Sequence, residues 1–295
     1  MSRIIDAFTA EPWAIIPSEL HKMAAILARH PGPEGKQETP DYVRRDYQLM
    51  AGPSAAKLPG AHRAFVIDGV AIIPVTGPIF PRANLMTEMS GATSISTLSN
   101  DFRAAIDNAD VGAVILLMDT PGGAVSGVNA FADQVAAGAK RKTTVAYVSG
   151  YAASAGYWIA AAAGEIHLER TAMVGSIGVI AAVPKQKQPD AAGDLWIEIV
   201  SSGAPNKRPD PESEDGRSEI VTTLDAIEKQ FVADVARGRG VTADRVLADF
   251  GQGGVKLGRE AIAAGMADKM QSYETTLNTL RRAVANQRRL RALKQ

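Results

Sequence analysis

The sequence contains no cysteine. That excludes disulfides, thiol catalysis and cysteine-ligated metals, and it is compatible with a reducing cytoplasm. Aromatic residues are scarce, 5% of the chain, which points to alanine-rich helix packing in a composition otherwise ordinary for a globular protein, 46% hydrophobic and 22% charged. Net charge is missing as well. Lys+Arg and Asp+Glu each number 32, so no global field favours nucleic acid or an anionic membrane. No stretch reaches the ~18 consecutive apolar residues of a membrane-spanning helix, and the opening MSRIIDAFTAEPWAIIPSEL has no signal-peptide core. The expectation is a soluble cytoplasmic protein without nucleic acid among its partners. With thiols gone, serine gains weight as a nucleophile.

What is present suggests one large domain with extensions, since 295 residues approach the limit of a single core. Residues 1–60 form an expected accessory segment: an amphipathic piece around Pro17 to Ala28, then the linker-like RHPGPEGKQETP. The main domain, 61–270, opens with AFVIDGVAIIPVTGPI, two apolar runs joined by the hairpin dipeptide Asp68-Gly69. Helix-then-strand units follow: SISTLSNDFRAAIDNAD before GAVILLMD, SGVNAFADQVAAGAKRK before TTVAYVSG, and SAGYWIAAAAG before EIHLE. This alternation predicts an α/β fold with a largely parallel sheet. GVIAAV and LWIEIV are further predicted strands. A long helix is predicted from Ser218 to Arg237, with Ile220, Leu224, Ile227, Phe231 and Val235 facing a core. Gly265 is a plausible C-terminal helix cap. Residues 271–295 form a basic tail whose arginines suggest a partner or nucleic acid or, more simply, a frayed solvated helix.

Two segments could carry chemistry. In ILLMDTPGGAVSG a buried strand ends and turns through Pro121, Gly122 and Gly123, where backbone N–H groups can approach a ligand as in an oxyanion hole; an ordinary turn is the alternative. In VSGYAASAGYWIAAAAG a strand runs into a helix at Ser154. Ala152 and Gly156 flank it at minus two and plus two, small as in a GxSxG nucleophile elbow; the alternative is a routine helix cap. A base is needed. His21, His30 and His62 fall in or near the accessory region, and His167 lies in an expected surface or edge strand, so a Ser-His-Asp triad is poorly supported. Lys207, in the turn-rich SSGAPNKRPDPESEDG, is the remaining candidate, although a loop lysine is ordinarily solvated. Acting at neutral pH would require its pKa to fall about three units from ~10.4.

The order of DTPGG, GYAASAGYWIAAAA, TAMVGSIGVI, IVSSGAPNK and FVADVARGRG resembles the signal peptide peptidase A type of serine-lysine proteases, over about Ile67 to Asp268. The resemblance implies a Clp protease/crotonase-like spiral of ββα units. It places the nucleophile at Ser154, the base at Lys207, a lysine-orienting serine at Ser176, and oxyanion donors at Gly123 first and Gly122 second. It implies no metal or cofactor, extended peptides as substrates, and a homo-oligomeric ring. The N-terminal EPWAIIPSELHKMAAILARH lacks a membrane anchor and looks like the phage and prophage branch, the capsid assembly proteases. Capsid, scaffold and portal proteins are then expected partners, in the host cytoplasm or procapsid. A housekeeping peptidase of the same family, a non-proteolytic capsid component and, more remotely, a crotonase-like acyl-CoA enzyme are the alternatives.

Overall fold

The computed structural model describes residues 12–20, 22–23, 54–82, 92–183 and 200–294. The strands are β1 (Trp13–Ile15), β2 (Ala56–Lys57), β3 (Phe65–Ile67), β4 (Val70–Thr76), β5 (Ile79–Phe80), β6 (Thr93–Ser94), β7 (Ala113–Thr120), β8 (Gly122–Ala124), β9 (Thr143–Ala153), β10 (Glu165–Leu168), β11 (Met173–Gly175), β12 (Val255–Leu257) and β13 (Lys269–Met270). The helices are α1 (Ile95–Asp107), α2 (Val128–Ala139), α3 (Ala155–Ala161), α4 (Glu214–Arg239), α5 (Ala243–Asp249), α6 (Gly258–Ala264) and α7 (Tyr273–Ala292).

The large sheet is built on β4, β7 and β9, which pair in parallel. All seven residues of β4 except Thr76 are buried, as expected for a strand covered on both faces. β9 is long enough to serve two neighbours: its first half pairs with β10 and its last three residues with β11, both in parallel. A smaller sheet has the order β1-β8-β5-β6. Chain tracing links the two. From β4 the chain passes through β5 and β6 into α1, and from β7 through β8 into α2, so long strand, short strand and helix repeat as ββα units. The α/β fold with a parallel sheet is thus as the sequence predicts. So are the β3–β4 hairpin, with Asp68 and Gly69 at positive φ, and the Gly265 cap, at φ 86°.

Several expectations change. α4 runs longer than predicted, from the Ser213 side-chain cap to Gly240 at φ 64°. Of its apolar stripe only Phe231 and Val235 are buried; Ile220, Leu224 and Ile227 stay partly exposed because the first half of the helix extends past the core. GVIAAV forms no strand beyond a single bridge from Ile180 to Trp13, and most of LWIEIV lies outside the described residues. The basic stretch is not a frayed helix in its first half, since α7 buries Thr276, Leu277, Leu280 and Val284, the three apolar ones in a cluster with Val70, Ile72 and Ile115. His167 is not at a surface either. β10 lies between β9 and β13, and His167 is 4% exposed, with Glu165 Oε2 at 2.7 Å and Thr276 Oγ1 at 3.1 Å. Of the other histidines, only His62 is among the described residues; its backbone N–H donates to Asp101.

Candidate active site

Ser154 occupies the single residue between β9 and α3, at φ 52° and ψ −117°. For a residue with a side chain this conformation is costly, on the order of 1–3 kcal/mol, and persists only where its surroundings over-determine it. Here they do. The Ser154 N–H donates to Gly175 O at 2.7 Å, and the Ser154 carbonyl accepts from Trp158 N at 2.9 Å. Gly156 leaves room for the turn: a Cβ there would lie 2.5 Å from Thr120 Cγ2. Ser154 makes no side-chain capping hydrogen bond, so the helix-cap alternative is set aside. Among the described residues its Oγ donates one long hydrogen bond, to Gly178 O at 3.4 Å.

All seven residues of α3 are buried, which explains the run of alanines. Trp158 and Tyr157 anchor the helix by their polar tips. The Trp158 indole N–H donates to Asp234 Oδ2 at 2.9 Å, and Tyr157 OH donates to Met266 O at 3.0 Å. Burial raises the Tyr157 pKa well above its ordinary value, so the hydroxyl stays protonated as a donor.

Ser176 lies beside Ser154. β11 continues the β9 register, with Gly175 opposite Ala153, and Ser176 also has positive φ, at 53°. It is 8% exposed, and its N–H donates to Gly254 O at 2.7 Å. Gly122 and Gly123 approach from the other side. Thr120, which sequence reasoning did not single out, organises this turn: its Oγ1 donates to Gly77 O at 2.7 Å and accepts from Gly122 N at 3.2 Å. The Gly122 amide is thus engaged within its own turn, by Thr120. The first amides of α3, next to Ser154, have no acceptor within the helix and offer a second donor direction. Nothing in the sequence pattern marks Thr120, because a threonine ending a strand is unremarkable.

No hydrogen bond joins Lys207 to Ser154. Lys207 ends a short 3-10 turn, Pro205–Lys207, and is exposed, whereas Ser154 is fully buried. Among the described residues no group of three or more His, Asp or Glu could hold a metal ion, and no helix is long and apolar enough to cross a membrane.

A strained serine at a strand-to-helix junction of an α/β protein, with a Gly-Gly strand nearby, has the local geometry of a nucleophile elbow. The profile of peptidase family S49 matches residues 136–287, and the chain belongs to that family. It is 30% identical over 222 residues to capsid assembly protease C of Escherichia phage lambda, covering 74% of this chain and 50% of that protein. It is 26% identical over 292 residues to head-tail preconnector protein GP5 of Enterobacteria phage P21, covering 96% and 58%. Protease 4 of Haemophilus influenzae is 27% identical over 235 residues, 76% of this chain and 36% of that one. The chain thus spans little more than half the length of its phage relatives.

Proposed function

We propose that this chain is a serine endopeptidase with Ser154 as nucleophile and Lys207 as general base, acting in capsid assembly or maturation of a phage or prophage on scaffold and other head proteins. The observation that carries the reading is the strained, over-determined conformation of Ser154 beside Gly123. Membership of peptidase family S49 and the likeness to two phage head proteins support it.

In this mechanism the substrate binds as an extended strand. Lys207, as the neutral amine, is the proton acceptor. Ser176 orients that amine. Ser154 Oγ attacks the scissile carbonyl as its proton passes to Lys207, and the oxyanion is held by Gly123 N–H. The amine product leaves with that proton. Water, deprotonated by the same lysine, then hydrolyses the ester and restores Ser154. No metal or cofactor enters these steps.

A homo-oligomeric ring would give Lys207 and the partly exposed stripe of Ile220, Leu224 and Ile227 a neighbour to pack on. The site of action would be the host cytoplasm or procapsid. A non-proteolytic capsid component is the second reading, favoured by the exposure of Lys207 and the lack of a hydrogen bond from it to Ser154. Treatment with a fluorophosphonate, followed by mass spectrometry, distinguishes the two. A peptidase carries the label on Ser154 and loses it in Ser154→Ala; absence of label under all conditions would sink the peptidase reading.

A further inference from the structure

A strand of the chain's own lies against the glycine turn next to Ser154. β1 runs antiparallel to β8, with Trp13 opposite Ala124, Ala14 opposite Gly123 and Ile15 opposite Gly122. On its other edge Trp13 exchanges both backbone hydrogen bonds with Ile180, each 2.8 Å. Ile180 is two residues beyond Gly178, whose carbonyl meets Ser154 Oγ. β1 therefore fills a slot between two backbone edges, and both edges border the candidate nucleophile.

The register puts Ala14 at the centre. Ile16 N–H donates to Pro121 O at 3.0 Å, and Val125 N–H donates to Pro12 O at 3.2 Å. Hydrogen-bonded pairs alternate along an antiparallel ladder, so the pair midway between, Ala14 and Gly123, is of the hydrogen-bonded kind, with the Gly123 amide directed at Ala14 O. A Cβ on Gly122 would lie 2.2 Å from Ala14 O and 3.0 Å from Ala153 O. The Ala14 carbonyl, the Gly-Gly turn and the residue preceding Ser154 thus converge. Side chains alternate accordingly: Trp13 and Ile15 join Leu20 and Ala124 in an outer apolar cluster, while Ala14 enters the main core.

We infer that Trp13–Ile15 is a built-in occupant of the peptide slot, held as a substrate strand would be, with the Ala14 carbonyl at the candidate oxyanion amide. The inference rests on the reading of Ser154 as the nucleophile. The occupant must leave before another polypeptide enters, so the site is self-blocked. It also defines the class of peptide the slot takes: extended, with bulky apolar side chains on either side of a small central residue.

The test uses the full chain carrying Ser154→Ala, so that binding is read without catalysis, together with Trp13→Cys and Ala124→Cys. Neighbouring the Ala14–Gly123 pair, this position is a non-hydrogen-bonded pair, whose close Cα atoms suit a disulfide, and the natural chain has no competing cysteine. A fluorescent synthetic peptide of residues 12–18 is titrated by anisotropy against the oxidised and reduced protein. The expected result is a single disulfide and at least tenfold weaker peptide binding when oxidised. Failure of the disulfide to form, or equal binding in both states, overturns the inference. Because Ser154 is absent from this experiment, loss of the nucleophile reading would show separately, in the labelling of the unaltered chain.

Discussion

Trp158 donates its indole N–H to Asp234 at 2.9 Å while its ring lies stacked on Phe231, with centroids 4.4 Å apart and planes 6° from parallel. Trp158 is also the residue whose amide closes the first turn after Ser154. Asp234, on α4, thereby fixes the helix that begins at the candidate nucleophile. Its other oxygen receives Gln230 Nε2 and Arg237 NH1, each at 2.9 Å.

Removing the acceptor should therefore cost more than neutralising it. Asp234→Ala leaves a buried indole N–H unpaired and is expected to lower stability by about 2–4 kcal/mol. Asp234→Asn keeps an acceptor for Trp158 and should lose less. Urea denaturation measures both, and equal losses would show that the hydrogen bond to Trp158 is unimportant.

The turn at Ser154 makes a second, steric prediction. Gly156→Ala drives a methyl against Thr120 Cγ2 and should cost about 1–3 kcal/mol through overpacking. Adding Thr120→Ser removes that methyl while keeping the hydroxyl that bonds Gly77 O. The double variant should recover most of the loss, as a non-additive pair; simple additivity of the two changes would contradict the contact.

A third prediction concerns acid. Burial pushes the His167 imidazole below its ordinary range, against the opposing pull of the Glu165 carboxylate. The folded chain then binds fewer protons here than the unfolded one. This contribution is fully present above about pH 6.5, the ordinary histidine value, and is lost as pH falls through the lowered one. Glu165, held below the carboxylate range first by the Lys269 hydrogen bond, adds a further loss at lower pH. Lys269, Asp268, Gln271 and Thr276 complete the surroundings. His167→Gln should remove the upper step and leave the lower one in stability measured against pH. An unchanged upper step would assign it elsewhere.

The stripe on α4 gives a fourth. If Ile220, Leu224 and Ile227 pack on another protomer, Leu224→Glu should shift the species seen by analytical ultracentrifugation to smaller mass with unchanged circular dichroism. A wild-type monomer, or an unaltered oligomer in the variant, would remove this face from the interface.

Much of this architecture was legible in the residues themselves. The buried parallel strands, the Asp68-Gly69 hairpin and the Ser154 turn each carry a local signal of apolar run, turn dipeptide or small flanking residue. What was not legible depends on distant partners. Trp13–Ile15 looks like part of an accessory segment because three residues carry no periodicity, and only pairing with Gly122–Ala124 gives them a place. His167 alternates like a half-exposed strand residue, yet α7, more than a hundred positions later, covers it. The basic tail shows its charges more plainly than the Leu277, Leu280 and Val284 face that packs. Thr120 is invisible for the same reason, since its importance lies in Gly77 and Gly122. The Ser154–Lys207 pairing rests on the family pattern, since a lysine in a turn-rich loop carries no local signal of its partner.

The most direct test is the hydrolysis rate of an extended peptide substrate, or of casein, by the wild-type chain, Ser154→Ala and Lys207→Ala at equal folded concentration. The account predicts losses on the order of a thousandfold or more in both variants, with circular dichroism unchanged. Hydrolysis persisting near the wild-type rate in both would contradict the assignment of nucleophile and base.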